Sequence, residues 1–166
     1  MKKLNIKKIT MTTIANNKGH FFIALTIIVF SCATKKQSDL VGAWEIDEMK
    51  ITMHSFQNTD SVKVIEVNGN EWEEKMKTRN IQTYFANDGT YHSVHKNLQD
   101  SIIYDPAGTW RIENDTLIIQ DTIPKRVTYK YKIKVDKFFV EYWGVEDFDQ
   151  DGKVDDEYYS RQRRIK

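Results

Sequence analysis

The sequence predicts an all-β domain of antiparallel strands, a barrel or a sandwich. Two observations carry this. Strand-like runs recur at short intervals with turn signals between them, and one stretch alone looks helical. The run 81–85 (IQTYF) meets 91–95 (YHSVH) across Asn87-Asp88-Gly89-Thr90, an Asp-Gly turn between two strands. Residues 109–112 (TWRI) pass through Glu113-Asn114-Asp115 into 116–119 (TLII), a second hairpin.

The clearest strand is 127–135 (VTYKYKIKV). Val127, Tyr129, Tyr131, Ile133 and Val135 share one face, and Thr or Lys occupies the other, because successive side chains of a strand point to opposite sides. Asp136-Lys137 turns it into 138–143 (FFVEYW). Earlier in the chain, 44–48 (WEIDE) and 62–67 (VKVIEV) are strand candidates. The helix-like stretch is 70–79 (NEWEEKMKTR), where Trp72 and Met76, four apart, share a face.

The first 31 residues are of another kind. Lys2, Lys3, Lys7, Lys8 and Lys18 precede a ten-residue apolar run, 21–30 (FFIALTIIVF), and no acidic residue occurs before Asp39. A lasting membrane span needs about 20 apolar residues, so this run has the length of a signal-peptide h-region. An uncleaved signal anchor is the alternative. Val29-Phe30-Ser31-Cys32 resembles the lipobox of a bacterial lipoprotein signal peptide. The resemblance implies cleavage before Cys32, acylation of that residue and anchoring to a membrane. Residues 1–31 are then the signal peptide, 32–39 a tether and 40–166 the folded domain. Two or three acyl chains anchor stably where one does so only marginally. Cys32 is the chain's single cysteine, so no thiol remains for a disulfide or for thiolate catalysis. Ala33 stands where an inner-membrane retention signal would place Asp, and no acidic run follows the cysteine. Both features point to an outer-membrane lipoprotein facing the periplasm.

Residues 32–166 number 135, enough for one domain with a real core. They carry 20 Lys and Arg against 24 Asp and Glu, a net charge of −4. That balance excludes a general nucleic-acid binder, which needs a basic surface.

Leu40-Val41-Gly42-Ala43-Trp44 places a Gly-x-Trp at the start of the first strand. The runs 84–91 (YFANDGTY), 108–112 (GTWRI) and 115–119 (DTLII) follow in order. Together with the lipobox, the chain resembles the lipocalin-like lipoproteins of the Bacteroidota over roughly residues 40–145. The resemblance implies an up-and-down barrel of about eight strands with one short helix. Such a barrel is just wide enough for side chains or one small ligand. It also implies a floor built on Gly42 and Trp44, with an arginine of the last strand over the indole. Arg161 and Arg163 are the candidates, with solvated tail charges as the alternative. No catalytic set comes with the resemblance.

The sharpest chemical motif is 147–157 (DFDQDGKVDDE), which reads D-x-D-x-D-G-x-V-D, the first nine positions of an EF-hand-type calcium loop. Alternate carboxylates converge on one point when the loop turns at a glycine. The expected ligands are Asp147, Asp149, Asp151, the Lys153 carbonyl and Asp155, with Glu157 or Asp156 replacing the bidentate Glu that this chain lacks at the twelfth position, Tyr158. A solvated acidic turn is the alternative, although six carboxylates in eleven residues repel one another. The expected role of calcium is structural.

No G-x-S-x-G, H-E-x-x-H, P-loop or G-x-G-x-x-G occurs, so the expectation is a protein that is not an enzyme. His92 and His95 fall on opposite faces of a strand and make a poor metal pair. The aromatic residues serve a small β core first, and those facing inward can line a lumen. Two function classes remain. One is a membrane-anchored barrel that binds a small apolar or amphipathic ligand. The other is a side-chain-filled barrel that acts as a non-catalytic envelope accessory module and binds another protein or a glycan through its loops. A lumen above about 300 Å³ favours the first.

Overall fold

A computed structural model describes residues 37–166. The proposed signal peptide and Cys32 lie outside the described residues. Ten strands follow one another: β1 (Gly42–Met53), β2 (Lys63–Asn68), β3 (Gln82–Phe85), β4 (Thr90–Lys96), β5 (Ile102–Tyr104), β6 (Ala107–Glu113), β7 (Thr116–Ile123), β8 (Val127–Val135), β9 (Phe139–Glu146) and β10 (Asp156–Arg164). All pairings are antiparallel. Eight strands, in the order β1-β3-β4-β6-β7-β8-β9-β10, close into a barrel because β10 returns to β1. The predicted antiparallel β-barrel with a short helix is what the chain forms. β2 and β5 are additions to the wall: β2 pairs with the second half of β1, and β5 with the end of β4.

An irregularity in β1 keeps the correct faces inward where β10 closes the barrel. Between Ile46 and Glu48 the β1–β10 register shifts. Trp44 and Ile46 are buried before the shift, and Met49, Ile51 and Met53 after it. An inserted residue of this kind restores the side-chain alternation on the far side of a bulge. Asp47 and Glu48 therefore both lie outside, and both reach Arg161, at 2.6 Å and 3.5 Å.

The helix is shorter than 70–79. It spans Trp72–Met76 and stops where Lys77 takes a left-handed conformation, φ 58°. Trp72 is buried against Ile46, Met49 and Val67, and its indole donates to Thr78 Oγ1 at 3.1 Å. The helix thus covers the wall where β1 exchanges β3 for β2 as its neighbour.

One end of the barrel is sealed. Leu40, Trp44, Phe85, Trp110, Leu117 and Val140 meet there in a buried cluster. The Trp44 indole donates to the Leu40 carbonyl at 2.8 Å. The arginine over its ring is Arg164, with the guanidinium carbon 4.1 Å from the ring centroid. This corrects the assignment to Arg161 or Arg163, and the reason is strand parity. Trp44 pairs with Arg164 and Ile46 with Gln162, so the even positions of β10 share the inward face. Arg161 and Arg163 face outward to Asp47 and Glu45. Arg164 also donates to the carbonyls of Val41 and Lys137, at 2.8 Å and 3.1 Å, and to that of Asp39. Gly42 has a positive φ of 141°, and a Cβ there would lie 2.5 Å from Arg164 Nη1. The glycine of Gly-x-Trp is therefore needed for this arginine to enter. Parity also puts Phe139 and Trp143 on the outer face, 38% and 40% exposed, rather than in the core.

Candidate functional site

Above the floor the barrel is hollow. A cavity of about 330 Å³ occupies the lumen and reaches Tyr104, which is 40% exposed, at its rim. Six of the chain's eight tyrosines line it: Tyr91, Tyr104, Tyr129, Tyr131, Tyr142 and Tyr158. The rings brace one another. Tyr131 meets Tyr142 edge-on at 6.1 Å between centroids and Tyr158 at 5.6 Å. Gly144 makes this possible, because a Cβ there would lie 2.6 Å from Tyr131 Cδ1. Gly144→Val is expected to displace Tyr131 and to cost about 1–3 kcal/mol of stability in urea unfolding, the usual range for overpacking. A wild-type midpoint would contradict this packing.

The lumen is not purely apolar. Asp121 is only 2% exposed, borders the cavity and accepts a hydrogen bond from the Tyr91 hydroxyl. Among the described residues no lysine, arginine or histidine forms an ion pair with it. Burial pushes its pKa above the ordinary carboxylate value. Burial likewise pushes His95 down, so the imidazole is neutral at pH 7. The Tyr142 hydroxyl and Gln162 Oε1 are buried against the same cavity without hydrogen-bond partners. A buried polar atom left unpaired costs free energy, so the lumen holds polar capacity that the fold does not use.

Asp121 has a consequence for stability. A carboxyl whose folded-state pKa is raised costs nothing while it is protonated in both states, and stability falls as pH rises through the folded pKa. Asp121→Asn removes that loss and keeps an acceptor for Tyr91. The variant is expected to be more stable than wild type at pH 7, with the gap closing as pH falls to about 3, below the ordinary carboxylate pKa. Urea unfolding at both pH values checks this. A variant less stable at pH 7 would contradict it.

At the open end the acidic loop joins β9 to β10. Oxygen atoms of Asp147, Asp149 and Asp151 lie within 4.8 Å of one another. Asp147 accepts from the amides of Asp151 and Gly152, both at 3.1 Å. Gly152, φ 91°, makes the turn that brings them there. The Asp151 side chain is 1% exposed, and its Oδ2 has no hydrogen-bond partner, only the Lys153 ammonium at 3.5 Å. The other expected ligands fall outside this trio. Asp155 accepts from Ser55 Oγ at 2.9 Å, while its Oδ1 is buried without a partner. Glu157 already belongs to β10 and stands 3.7 Å from His54 Nε2. Asp156 is fully buried and accepts the amides of His54, Phe148 and Asp149.

The β1–β2 loop, which carries no local signal for it, completes this site. The Gln57 amide donates to Asp149 Oδ2 at 2.5 Å, and the Asn58 side-chain amide to the Asp151 carbonyl at 3.2 Å. Left-handed backbone at Ser55, Gln57 and Asn58 aims these donors. The acidic loop also reaches the lumen, since Phe148 lines the cavity and stacks on Tyr158 at 5.6 Å. Asp121, by contrast, carried a legible signal: it shares the inward parity of Leu117 and Ile119.

A larger cavity, about 480 Å³, lies outside the wall near Glu45, Arg79 and Asn80. Its arginines are already paired, Arg79 with Glu73 and Asp100 and Arg163 with Glu45, so it is the weaker candidate. No helix among the described residues is long and apolar enough to cross a membrane. No protein-family model matches the chain, and no curated protein matches it.

Proposed function

We propose that the protein is a lipocalin-like carrier: a membrane-tethered barrel that holds a small amphipathic ligand in its lumen and is stiffened at the open end by calcium. The observation that supports this best is the lumen itself. At about 330 Å³ it lies above the 300 Å³ from which small-molecule sites begin. Eight Phe and Tyr rings form much of its lining, and it contains buried polar atoms with no partner in the fold. A barrel filled for scaffolding alone has no use for either feature. The reading is non-catalytic. The tether proposed through Cys32 precedes Asp39 and Leu40 in the sequence, and these two are held at the sealed end.

The test is fluorescence titration of the purified protein with the neutral probe N-phenyl-1-naphthylamine. Saturable one-to-one enhancement is expected, and Ser160→Leu, which fills the lumen, should abolish it while near-ultraviolet circular dichroism stays native. Enhancement that survives in Ser160→Leu would place the probe elsewhere and count against the carrier.

Calcium fits the acidic loop on the chemistry of its donors. Asp147, Asp149 and Asp151 supply converging hard oxygen atoms, and the nearly buried Asp151 Oδ2 lacks a hydrogen bond. The Lys153 carbonyl is the further donor the motif provides. Calcium at about 100-fold above its Kd is expected to raise Tm by on the order of 5–10 °C. Chelator should reverse the shift, and Asp149→Ala with Asp151→Ala should remove it. No shift at millimolar calcium would reduce the loop to an acidic turn.

A further inference from the structure

The lining of the lumen is one-sided in charge. Among the described residues no lysine or arginine lines the cavity, whereas a carboxyl group, Asp121, does. Asp121 is the kind of group a fold normally avoids: a buried acid with no cation beside it, held by a single tyrosine hydroxyl. Around Asp121 the walls combine six tyrosine rings with the aliphatic side chains of Ile46, Met49, Ile51, Ile81 and Ile119, which suit an apolar body. An aromatic face carries negative electrostatic potential and attracts cations, and the attraction strengthens when the cation is desolvated. A carboxylate ligand would meet Asp121 with like charge, and the one basic side chain in the lining, His95, is pushed toward its neutral form by burial. A neutral hydrocarbon would leave the carboxyl, the Tyr142 hydroxyl and Gln162 Oε1 unpaired.

We infer that the lumen is built for a small organic cation, a protonated amine on an apolar or aromatic body. The ammonium group sits against Asp121 among the tyrosine rings, and Gln162 Oε1 accepts a further hydrogen bond. Buried charges are tolerated when they are paired, and the ligand supplies the partner that the chain does not. This inference rests on the carrier reading and narrows it to one ligand class.

The experiment compares three molecules of nearly the same shape by isothermal calorimetry: 2-phenylethylamine, 2-phenylethanol and 3-phenylpropionate. The purified protein is used beside Asp121→Asn, a variant expected to fold because asparagine keeps the acceptor for Tyr91. Wild type is expected to bind the amine at least about tenfold more tightly than the alcohol, and the carboxylate not at all. Asp121→Asn should bring the amine down to the level of the alcohol. An alcohol or carboxylate that binds as tightly as the amine overturns the inference, as does an amine preference that survives in Asp121→Asn. If none of the three binds while N-phenyl-1-naphthylamine does, the cation is wrong and the carrier stands. If that probe also fails, both fall.

Discussion

Trp44→Ala is expected to lower the unfolding free energy by about 3–5 kcal/mol, the usual cost of truncating a fully buried tryptophan. Trp44 has no exposed surface, and its indole is fixed at three points. The ring packs in the floor cluster, its N–H holds the Leu40 carbonyl, and Arg164 covers its face. The substitution removes the ring and also frees the segments it joins. Arg164 ties Val41, Asp39 and Lys137 to the ring it covers, so the first strand, the β8–β9 turn and the chain's C-terminal end meet at one guanidinium. Arg164→Lys should cost less, because a lysine keeps the charge while losing the planar fork that serves three carbonyls. Urea unfolding measures both. A loss below about 1 kcal/mol for Trp44→Ala would mean that the floor does not hold the barrel shut.

Asp156→Ala is the second large effect, expected at about 3 kcal/mol. The residue is fully buried, and its two oxygens accept the amides of His54, Phe148 and Asp149 at 2.9, 2.7 and 3.3 Å. Each amide left without an acceptor costs about 1–3 kcal/mol to the extent that water cannot replace the bond. These bonds join the ends of two loops, one after β1 and one before β10, so the loss is expected to be cooperative. Asp156→Asn is a sharper variant: it keeps the volume but turns one acceptor into a donor facing an amide. Its stability should fall nearly as far. Hydrogen exchange should speed up at His54 and Phe148 before the barrel strands exchange. A variant with unchanged exchange at those amides would show that Asp156 does not clamp the loops.

How far the sequence could be read depended on the range of the interactions. Strand alternation is local, so 127–135 showed its inward face plainly, and the turn at 87–90 announced its hairpin. The arginine over Trp44 was not legible in the same way. Choosing among Arg161, Arg163 and Arg164 requires the register of β10 against β1, a long-range pairing that includes a shift at Asp47. Hydrophobic alternation through 44–53 does change phase there, from Trp44 and Ile46 to Met49 and Ile51, which marks a bulge once it is sought. The acidic loop was visible because its ligands are close in sequence. Its second half was not, because Ser55, Gln57 and Asn58 arrive from about 90–100 residues away. The strand β5 (IIY) is three exposed residues long and gives no periodicity to detect. Asp121 could have been found, as a carboxylate on the apolar parity of a strand is a local anomaly that asks for a reason.

A crystal structure of the protein grown with N-phenyl-1-naphthylamine and calcium tests the carrier reading most directly. Electron density for the probe is expected inside the barrel, in contact with Tyr131 and Tyr142 and above the floor formed by Trp44. A lumen closed by its own side chains, with the probe absent or bound on the outer wall, would contradict it.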